Sequence, residues 1–203
     1  MQFQLCTNIN KATDALSSTL SYNVHMKKMN GNLILIGLMG AGKTTLGRQL
    51  ASELQLDFYD SDQLICERTG VSIPTIFELE GEEGFRHREK TVINELVQLN
   101  NIIIATGGGT VLSAENRYKL RKNGHVIYLH AHPQILLSRI QNDRNRPLLQ
   151  VEDPLLKLQQ LYVQRDPIYR ETAHLVIEAN DSCTTQTIAR LFTFLHQTNN
   201  NDF

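Results

Sequence analysis

Residues 37–44 (Gly37-Leu-Met-Gly-Ala-Gly-Lys43-Thr44) match the pattern G-x-x-x-x-G-K-[S/T] at each fixed position. Glycines let the backbone turn with its N–H groups facing inward, so that phosphate oxygens bind at the N-terminus of the following helix. The lysine adds a positive charge for the outer phosphates, and the threonine hydroxyl is a Mg²⁺ ligand. The pattern favours a nucleotide site over a plain glycine turn with an exposed lysine. Its expected nucleotide-binding residues are Gly40, Ala41, Gly42, Lys43, Thr44 and Thr45.

Two aspartates, Asp60 and Asp62, lie at the carboxyl end of a short predicted strand. Positions two apart in an extended segment point the same way, and ligands of parallel sheets bind at the carboxyl ends of strands. One carboxylate can therefore hold the water shell of Mg²⁺, while the other orients a substrate hydroxyl. An acidic turn, or a helix N-cap formed by Ser61 or Asp62, is the alternative, and capping is compatible with the functional role.

Arg86 and Glu89 are three residues apart and share one face of a predicted helix. Their spacing allows a simple surface ion pair. It equally allows a cleft arginine that its carboxylate partner holds ready for an anionic substrate. Spacing alone leaves both interpretations open.

Further candidate residues lie in three other segments. The run 107–109 is Gly-Gly-Gly at the end of a predicted strand, where bare backbone N–H groups suit close approach by a substrate, although a flexible turn is the alternative. A polar, arginine-rich stretch carries Arg139, Arg144 and Arg146, and a closing arginine can stabilise charge on a transferred phosphoryl group. Arg170 is either a helix C-terminal charge or a second ligand for a substrate carboxylate.

Apolar runs alternate with helical patterns from residue 31 onward. This alternation predicts βαβ units and a five-stranded parallel sheet covered by helices on both faces, an α/β architecture with three layers. The predicted strands are 32–36, 57–60, 102–105, 125–129 and 174–177. The predicted helices are 44–54, 61–69, 72–99 with breaks near 70–74 and 81–84, 114–122, 133–141, one starting at Pro154 after an Asp153 cap, and 184–194.

The bulk composition limits the possible partners. A formal net charge of −1 provides no global positive field for nucleic acid or an anionic membrane. No apolar run approaches the roughly 18 residues needed to cross a bilayer. Three widely spaced cysteines (Cys6, Cys66 and Cys183) indicate reduced thiols in a cytoplasmic protein rather than disulfides or a zinc site, and Cys66 is expected to be inert. Residues 1–30 read as an extension that packs little, with an organelle signal as the alternative.

Six segments resemble the shikimate kinase family in their order and separation. They are G-L-M-G-A-G-K-T, F-Y-D-S-D, G-E-E-G-F-R-x-x-E, T-G-G-G, R-P-L-L and R-D-P-I-Y-R. The resemblance implies transfer of the γ-phosphoryl group of ATP to the 3-hydroxyl of shikimate, a step toward aromatic amino acids, with Mg²⁺ as cofactor. It also implies a P-loop fold of the nucleoside-monophosphate-kinase type with a mobile lid and a helical substrate-binding segment, over residues 31–197. The chain is expected to act as a monomer. Residues 198–203 are expected to form a polar tail.

The resemblance also assigns roles residue by residue. Lys43 and Thr44 serve ATP and Mg²⁺, Asp60 lies near the metal through water, and Asp62 contacts the ring hydroxyls of shikimate. The remaining assignments are Arg86 and Arg170 to the substrate carboxylate, Gly108 and Gly109 to substrate through their N–H groups, Arg146 to the phosphates as the lid arginine, and Arg139 to the adenine. Lys43, Asp62 and Arg146 are thereby the expected catalytic residues. The rival functions are a gluconate-type or nucleotide-type kinase on the same fold, and a P-loop binding module without turnover.

Overall fold

A computed structural model describes residues 31–140, 151–179 and 184–200. The strands of these ranges are β1 (Asn32–Ile36), β2 (Asp57–Asp60), β3 (Ile102–Ala105), β4 (Gly124–His130) and β5 (Leu175–Glu178). They form one sheet in the order β2-β3-β1-β4-β5, and every neighbouring pair is parallel. The predicted five-stranded parallel sheet is confirmed.

Seven α-helices lie within the described ranges. They are α1 (Lys43–Leu54), α2 (Ser61–Thr69), α3 (Ile73–Leu96), α4 (Ala114–Asn123), α5 (Pro133–Ile140), α6 (Pro154–Thr172) and α7 (Thr184–Asn200). A short 3₁₀ turn (Thr110–Leu112) follows β3. Within these ranges, none of the helices has the length and apolar character that crossing a bilayer requires.

The central strand β1 and its neighbour β3 explain why the sheet lies between helical layers. Every residue of β1 and of β3 is buried, so both faces of the sheet centre are covered. Both strands are correspondingly apolar along almost their whole length, as expected for parallel strands buried on two sides. The predicted three-layer α/β fold is confirmed, and it aligns the carboxyl ends of β1, β2 and β3 at one edge.

The structure confirms one predicted interruption of a helix and moves one predicted end. The break predicted near 81–84 lies at Gly81, whose φ of 71° and ψ of −175° are not helical, so that α3 consists of two helical segments joined at a kink. Helix α7 runs to Asn200, beyond the predicted end at 194 and into the segment predicted as a polar tail. The N-cap at Asp153 is as predicted, since its side chain accepts from the Leu156 N–H at 2.9 Å.

His174, which immediately precedes β5, makes the stability of the fold depend on pH. Its Nδ1 accepts a hydrogen bond from the Val126 N–H at 2.9 Å, which requires the neutral ring. Burial lowers the pKa of His174, and the nearby Arg121 and His125 lower it further. In the unfolded chain the pKa of histidine is about 6.5, so on acidification His174 is protonated there at a higher pH than in the folded chain.

We therefore expect the contribution of His174 to the free energy of unfolding to be complete above the pKa of the unfolded chain. That contribution should decline as the pH falls from 7 toward 5. In His174→Asn the amide oxygen can take the acceptor role of Nδ1 without titrating, so its decline should be shallower. Urea denaturation of both proteins at pH 5, 6 and 7 measures the two slopes. Parallel curves would show that His174 does not carry the effect.

Candidate active site

A cavity of about 710 Å³ opens at the carboxyl ends of β1, β2 and β3. Its walls come from the glycine-rich loop before α1, the start of α2, helix α3, the glycine run after β3, two residues of α5, and one residue each of α6 and α7. This is the position at which parallel α/β sheets bind ligands. The cavity therefore brings together segments that are far apart in the sequence.

The glycine-rich loop forms one wall, and all six of its predicted nucleotide-binding residues (40–45) line the cavity. Gly40 has φ +80°, and a Cβ there would lie 2.9 Å from Ile140 Cγ2 and 3.0 Å from the Leu136 carbonyl. The loop can therefore rest against α5 only with glycine at this position. The Lys43 ammonium donates to the carbonyls of Gly37 at 2.7 Å and Leu38 at 3.0 Å, so its charge is held at the loop.

Asp60 joins the loop to the start of α2. Its Oδ2 accepts from the Thr44 hydroxyl at 2.6 Å, while its Oδ1 accepts from the N–H groups of Asp62 at 3.0 Å and Gln63 at 3.2 Å. The N-cap is therefore Asp60, and the prediction of a cap at Ser61 or Asp62 was wrong. Asp62 belongs to the first turn of α2, so strand alternation is not what orients it. Both carboxylates line the cavity nonetheless.

The chemistry of this corner suits Mg²⁺. Thr44 and Asp60 present a hydroxyl and a carboxylate oxygen 2.6 Å apart, which are hard oxygen ligands. The described part of the chain contains no group of three or more His, Cys, Asp and Glu side chains that could hold a metal alone. Few protein ligands are the rule for Mg²⁺ bound together with nucleotide phosphates and water. The residues present therefore fit this ion.

Arg86 faces the cavity and is held by a buried carboxylate. Its Nη1 donates to Glu89 Oε2 at 2.8 Å, and the Glu89 side chain is only 2% exposed. The other oxygen of Glu89 accepts from the Thr110 hydroxyl at 2.7 Å, and Glu82 accepts from Arg86 at 2.9 Å. Of the two interpretations that the spacing left open, the arginine held in the cleft is the one observed.

The second arginine of the cavity is Arg165, not Arg170. Arg165 is 3% exposed, lines the cavity and donates to the Gly108 carbonyl at 3.2 Å. Within the described ranges, its buried Nε has no hydrogen-bond partner. Arg170 instead has a side chain 45% exposed, donates to Asp166 Oδ2 at 2.8 Å, and is absent from the cavity lining.

Helix geometry explains this correction. At 3.6 residues per turn, positions five apart on α6 are about 140° apart around the axis, so Arg165 and Arg170 cannot face the same cavity. Tyr169, four residues after Arg165, shares its face and is completely buried. The helical period within R-D-P-I-Y-R was the signal that could have selected the first arginine.

An apolar wall on α2 and α3 was not predicted. Ile73, Phe77, Phe85 and Cys66 line the cavity, and the two phenylalanine rings lie 5.0 Å apart. Burial raises the pKa of the Cys66 thiol, and the carboxylates of Asp62 and Asp60 raise it further, which agrees with the predicted lack of reactivity. This wall gives the cavity an apolar side suited to the carbon skeleton of a small substrate.

Arg139 and Ala179 mark the remaining side of the cavity. Arg139 donates to the Ala179 carbonyl at 2.7 Å and to the Gly40 carbonyl at 3.5 Å, so it joins the glycine-rich loop to the segment after β5. The predicted lid residues Arg144 and Arg146 lie outside the described residues.

A family model and the sequences of known relatives both identify the same family. The family model for shikimate kinase matches residues 39–196. A shikimate kinase of Neisseria meningitidis serogroup C is 58% identical over 166 residues, which cover 81% of this chain and 98% of the relative. A shikimate kinase of Thiobacillus denitrificans is 61% identical over 147 residues, covering 72% of this chain and 80% of the relative.

Solved structures give the same result. A shikimate kinase from Acinetobacter baumannii, in complex with shikimate, superposes with a TM-score of 0.82 at 43% identity, covering 89% of this chain and 98% of that one. A gluconokinase from Sinorhizobium meliloti superposes with a TM-score of 0.53 at 13% identity, covering 86% of this chain and 97% of that one. The second likeness shows a shared fold alone.

Proposed function

The chain belongs to the shikimate kinase family, and on that premise we propose how its cavity transfers the γ-phosphoryl group of ATP to the 3-hydroxyl of shikimate. The observation that carries the proposal is the junction at Gly108. A Cβ at Gly108 would lie 3.6 Å from the Met39 N atom of the glycine-rich loop, and the Gly108 carbonyl accepts from Arg165. A phosphate site and a cationic carboxylate site thus adjoin in one cavity.

The nucleotide occupies the side formed by residues 40–45. The loop N–H groups and the Lys43 ammonium bind the phosphates, and Arg139 borders the adenine. Thr44 and Asp60 would hold Mg²⁺, Asp60 through water. When bound, the ion neutralises charge on the phosphate oxygens. Arg146 is assigned to the phosphates on the family resemblance.

Shikimate occupies the side formed by α3, α6 and the glycine run. The guanidinium groups of Arg86 and Arg165 bind its carboxylate, because charge-assisted hydrogen bonds of this type are the strongest that a protein offers. Asp62 accepts a hydrogen bond from a ring hydroxyl, and the N–H groups of Gly108 and Gly109 donate to substrate oxygens.

The reaction forms a bond between the 3-hydroxyl oxygen and the γ-phosphorus, and breaks the bond from that phosphorus to the β–γ bridging oxygen, so that ADP leaves. The proton of the hydroxyl passes to the Asp62 carboxylate, which already accepts its hydrogen bond. Asp62 orients the hydroxyl for in-line attack, and Lys43 stabilises charge on the phosphate oxygens. Positioning and charge stabilisation account for most of the acceleration in this class of reaction.

A coupled assay of ADP release tests the proposal. The purified protein, ATP and Mg²⁺ should release ADP rapidly with shikimate, and only at background rate with gluconate or a nucleoside monophosphate. Omission of Mg²⁺ should remove the activity. ADP release with gluconate in place of shikimate would assign the cavity to the rival acceptor, and nucleotide binding without turnover would make the chain a binding module.

Gly109→Ala should weaken shikimate selectively. Gly109 has φ −99°, which any residue adopts, but a Cβ there would lie 2.3 Å from the Arg86 guanidinium. The arginine must then leave its position beside Glu89, and we expect KM for shikimate to rise about 10-fold or more, the loss of one charge-assisted bond. Steady-state kinetics should show KM for ATP within about twofold of the wild type. An unchanged KM for shikimate would count against Arg86 as a carboxylate ligand.

We also propose that the enzyme works as a cytoplasmic monomer. The free thiol of Cys66 agrees with a reducing compartment. Light scattering after size-exclusion chromatography, at assay concentration, tests the oligomeric state.

A further inference from the structure

The Gly108 carbonyl accepts two hydrogen bonds from α6. One comes from Arg165, and the other comes from the hydroxyl of Tyr169. The Tyr169 side chain is completely buried, and its ring stacks on Tyr128 with centroids 4.8 Å apart. Tyr169 is not among the cavity-lining residues, and its hydroxyl has no role in the proposed reaction.

The peptide unit between Gly108 and Gly109 links this hydroxyl to the cavity. In a trans peptide, the carbonyl of one residue and the N–H of the next point in opposite directions. The Gly108 carbonyl points toward α6, so the Gly109 N–H points away from α6. The Arg86 guanidinium also lies close to Gly109, so the glycine run and Arg86 border the same part of the cavity. Among the described residues, no backbone carbonyl accepts from that N–H.

We propose that Tyr169 is a positioning residue of the acceptor site, whose hydroxyl holds the Gly108–Gly109 peptide so that the Gly109 N–H donates to shikimate. This inference rests on the proposed function, since it needs shikimate between Arg86 and the glycine run. It assigns a task to a residue that touches neither substrate.

Two physical points explain why a separate residue is needed to fix the Gly108–Gly109 peptide. A peptide between glycines rotates more freely than any other, because no Cβ restricts φ and ψ on either side. Arg165 also binds the substrate carboxylate in the proposed complex, so a second donor that contacts no substrate keeps the peptide in place independently of Arg165. Burial raises the pKa of Tyr169, so its hydroxyl stays protonated and remains a donor throughout the working pH range.

The test compares Tyr169→Phe with a matched control, Tyr128→Phe. Both changes remove one buried hydroxyl from the same stacked pair, but the Tyr128 hydroxyl donates to Asp166 at 2.9 Å, whereas the Tyr169 hydroxyl donates to Gly108. Both variants should lose similar stability in thermal unfolding. Steady-state kinetics with shikimate and with ATP, in the full-length enzyme, then separates positioning from packing.

Tyr169→Phe should raise KM for shikimate about 3- to 12-fold, the equivalent of one hydrogen bond, and leave KM for ATP within about twofold. Tyr128→Phe should leave both constants near the wild type. Equal rises for both substrates, or equal behaviour of the two variants, would overturn the inference. Wild-type enzyme that does not phosphorylate shikimate would instead refute the proposed function.

A measurement on the wild type keeps the inference testable even if Tyr169→Phe does not fold. Addition of shikimate should shift the backbone amide resonance of Gly109 in ¹⁵N-labelled enzyme far more than that of Gly70, which lies at the end of α2. A Gly109 amide that stays unperturbed at saturating shikimate would show that its N–H does not meet the substrate.

Discussion

Replacing Arg165 by alanine should raise KM for shikimate by about 10- to 150-fold and leave KM for ATP nearly unchanged. The range corresponds to roughly 1.5–3 kcal/mol for a lost hydrogen bond to a charged group. Arg165 is buried and donates to the glycine run, so its guanidinium is already ordered before substrate arrives. Little conformational entropy is then lost on binding, which strengthens the contribution of this residue.

Arg170→Ala is the matched control, because it removes the same functional group from the same helix. The Arg170 guanidinium is held by Asp166 and stands 5.9 Å from the Tyr128 ring, outside the cavity. Its loss should change KM for either substrate by less than about twofold, since exposed ion pairs contribute little. A large effect of Arg170→Ala together with a small effect of Arg165→Ala would reverse the assignment.

Lys43→Ala should reduce kcat by about 10²- to 10³-fold or more, the cost of removing one donor aimed at developing charge. In the structure, the ammonium donates to the carbonyls of Gly37 and Leu38, within reach of phosphates bound in the same loop. The rest of the loop is held by α5 and by backbone contacts, so the fold should survive. Single-turnover measurement of phosphoryl transfer, with circular dichroism as the check on folding, provides the test.

Lys122→Ala serves as the control for loss of a lysine. Lys122 lies on the last turn of α4, beside the exposed ring of Tyr118 and away from the cavity. Its replacement should leave kcat within about twofold of the wild type. Substantial residual turnover in Lys43→Ala would remove this lysine from the chemical step.

The sheet was predictable from sequence because burial on two faces demands continuous apolar runs. Strands β1 and β3 begin and end where the apolar pattern placed them, and the edge strand β2 has its predicted bounds although none of its residues is fully buried. The glycine-rich loop was equally predictable, since its residue types are those that phosphate binding requires. Local signals therefore sufficed for the elements and for the nucleotide side of the cavity.

The substrate side depends on geometry that spacing does not contain. The capping role of Asp60 was assigned to its neighbours, because Ser, Asp and Asn are equally good caps and only the exact start of α2 decides among them. The choice between Arg165 and Arg170 required knowing which face of α6 meets the cavity. That orientation follows from tertiary packing, here the stacking of Tyr169 on Tyr128.

Asp60 divides its carboxylate between the hydroxyl of Thr44 and the first turn of α2, which carries Asp62. The Asp60 side chain thus links the loop that binds the phosphoryl donor to the helix that carries Asp62, which contacts the acceptor. The spacing between the two reactants at this corner is consequently established when the chain folds. Asparagine at position 60 would retain one oxygen but lose the charge. That substitution distinguishes alignment from electrostatics at a point where most substitutions would disturb both together.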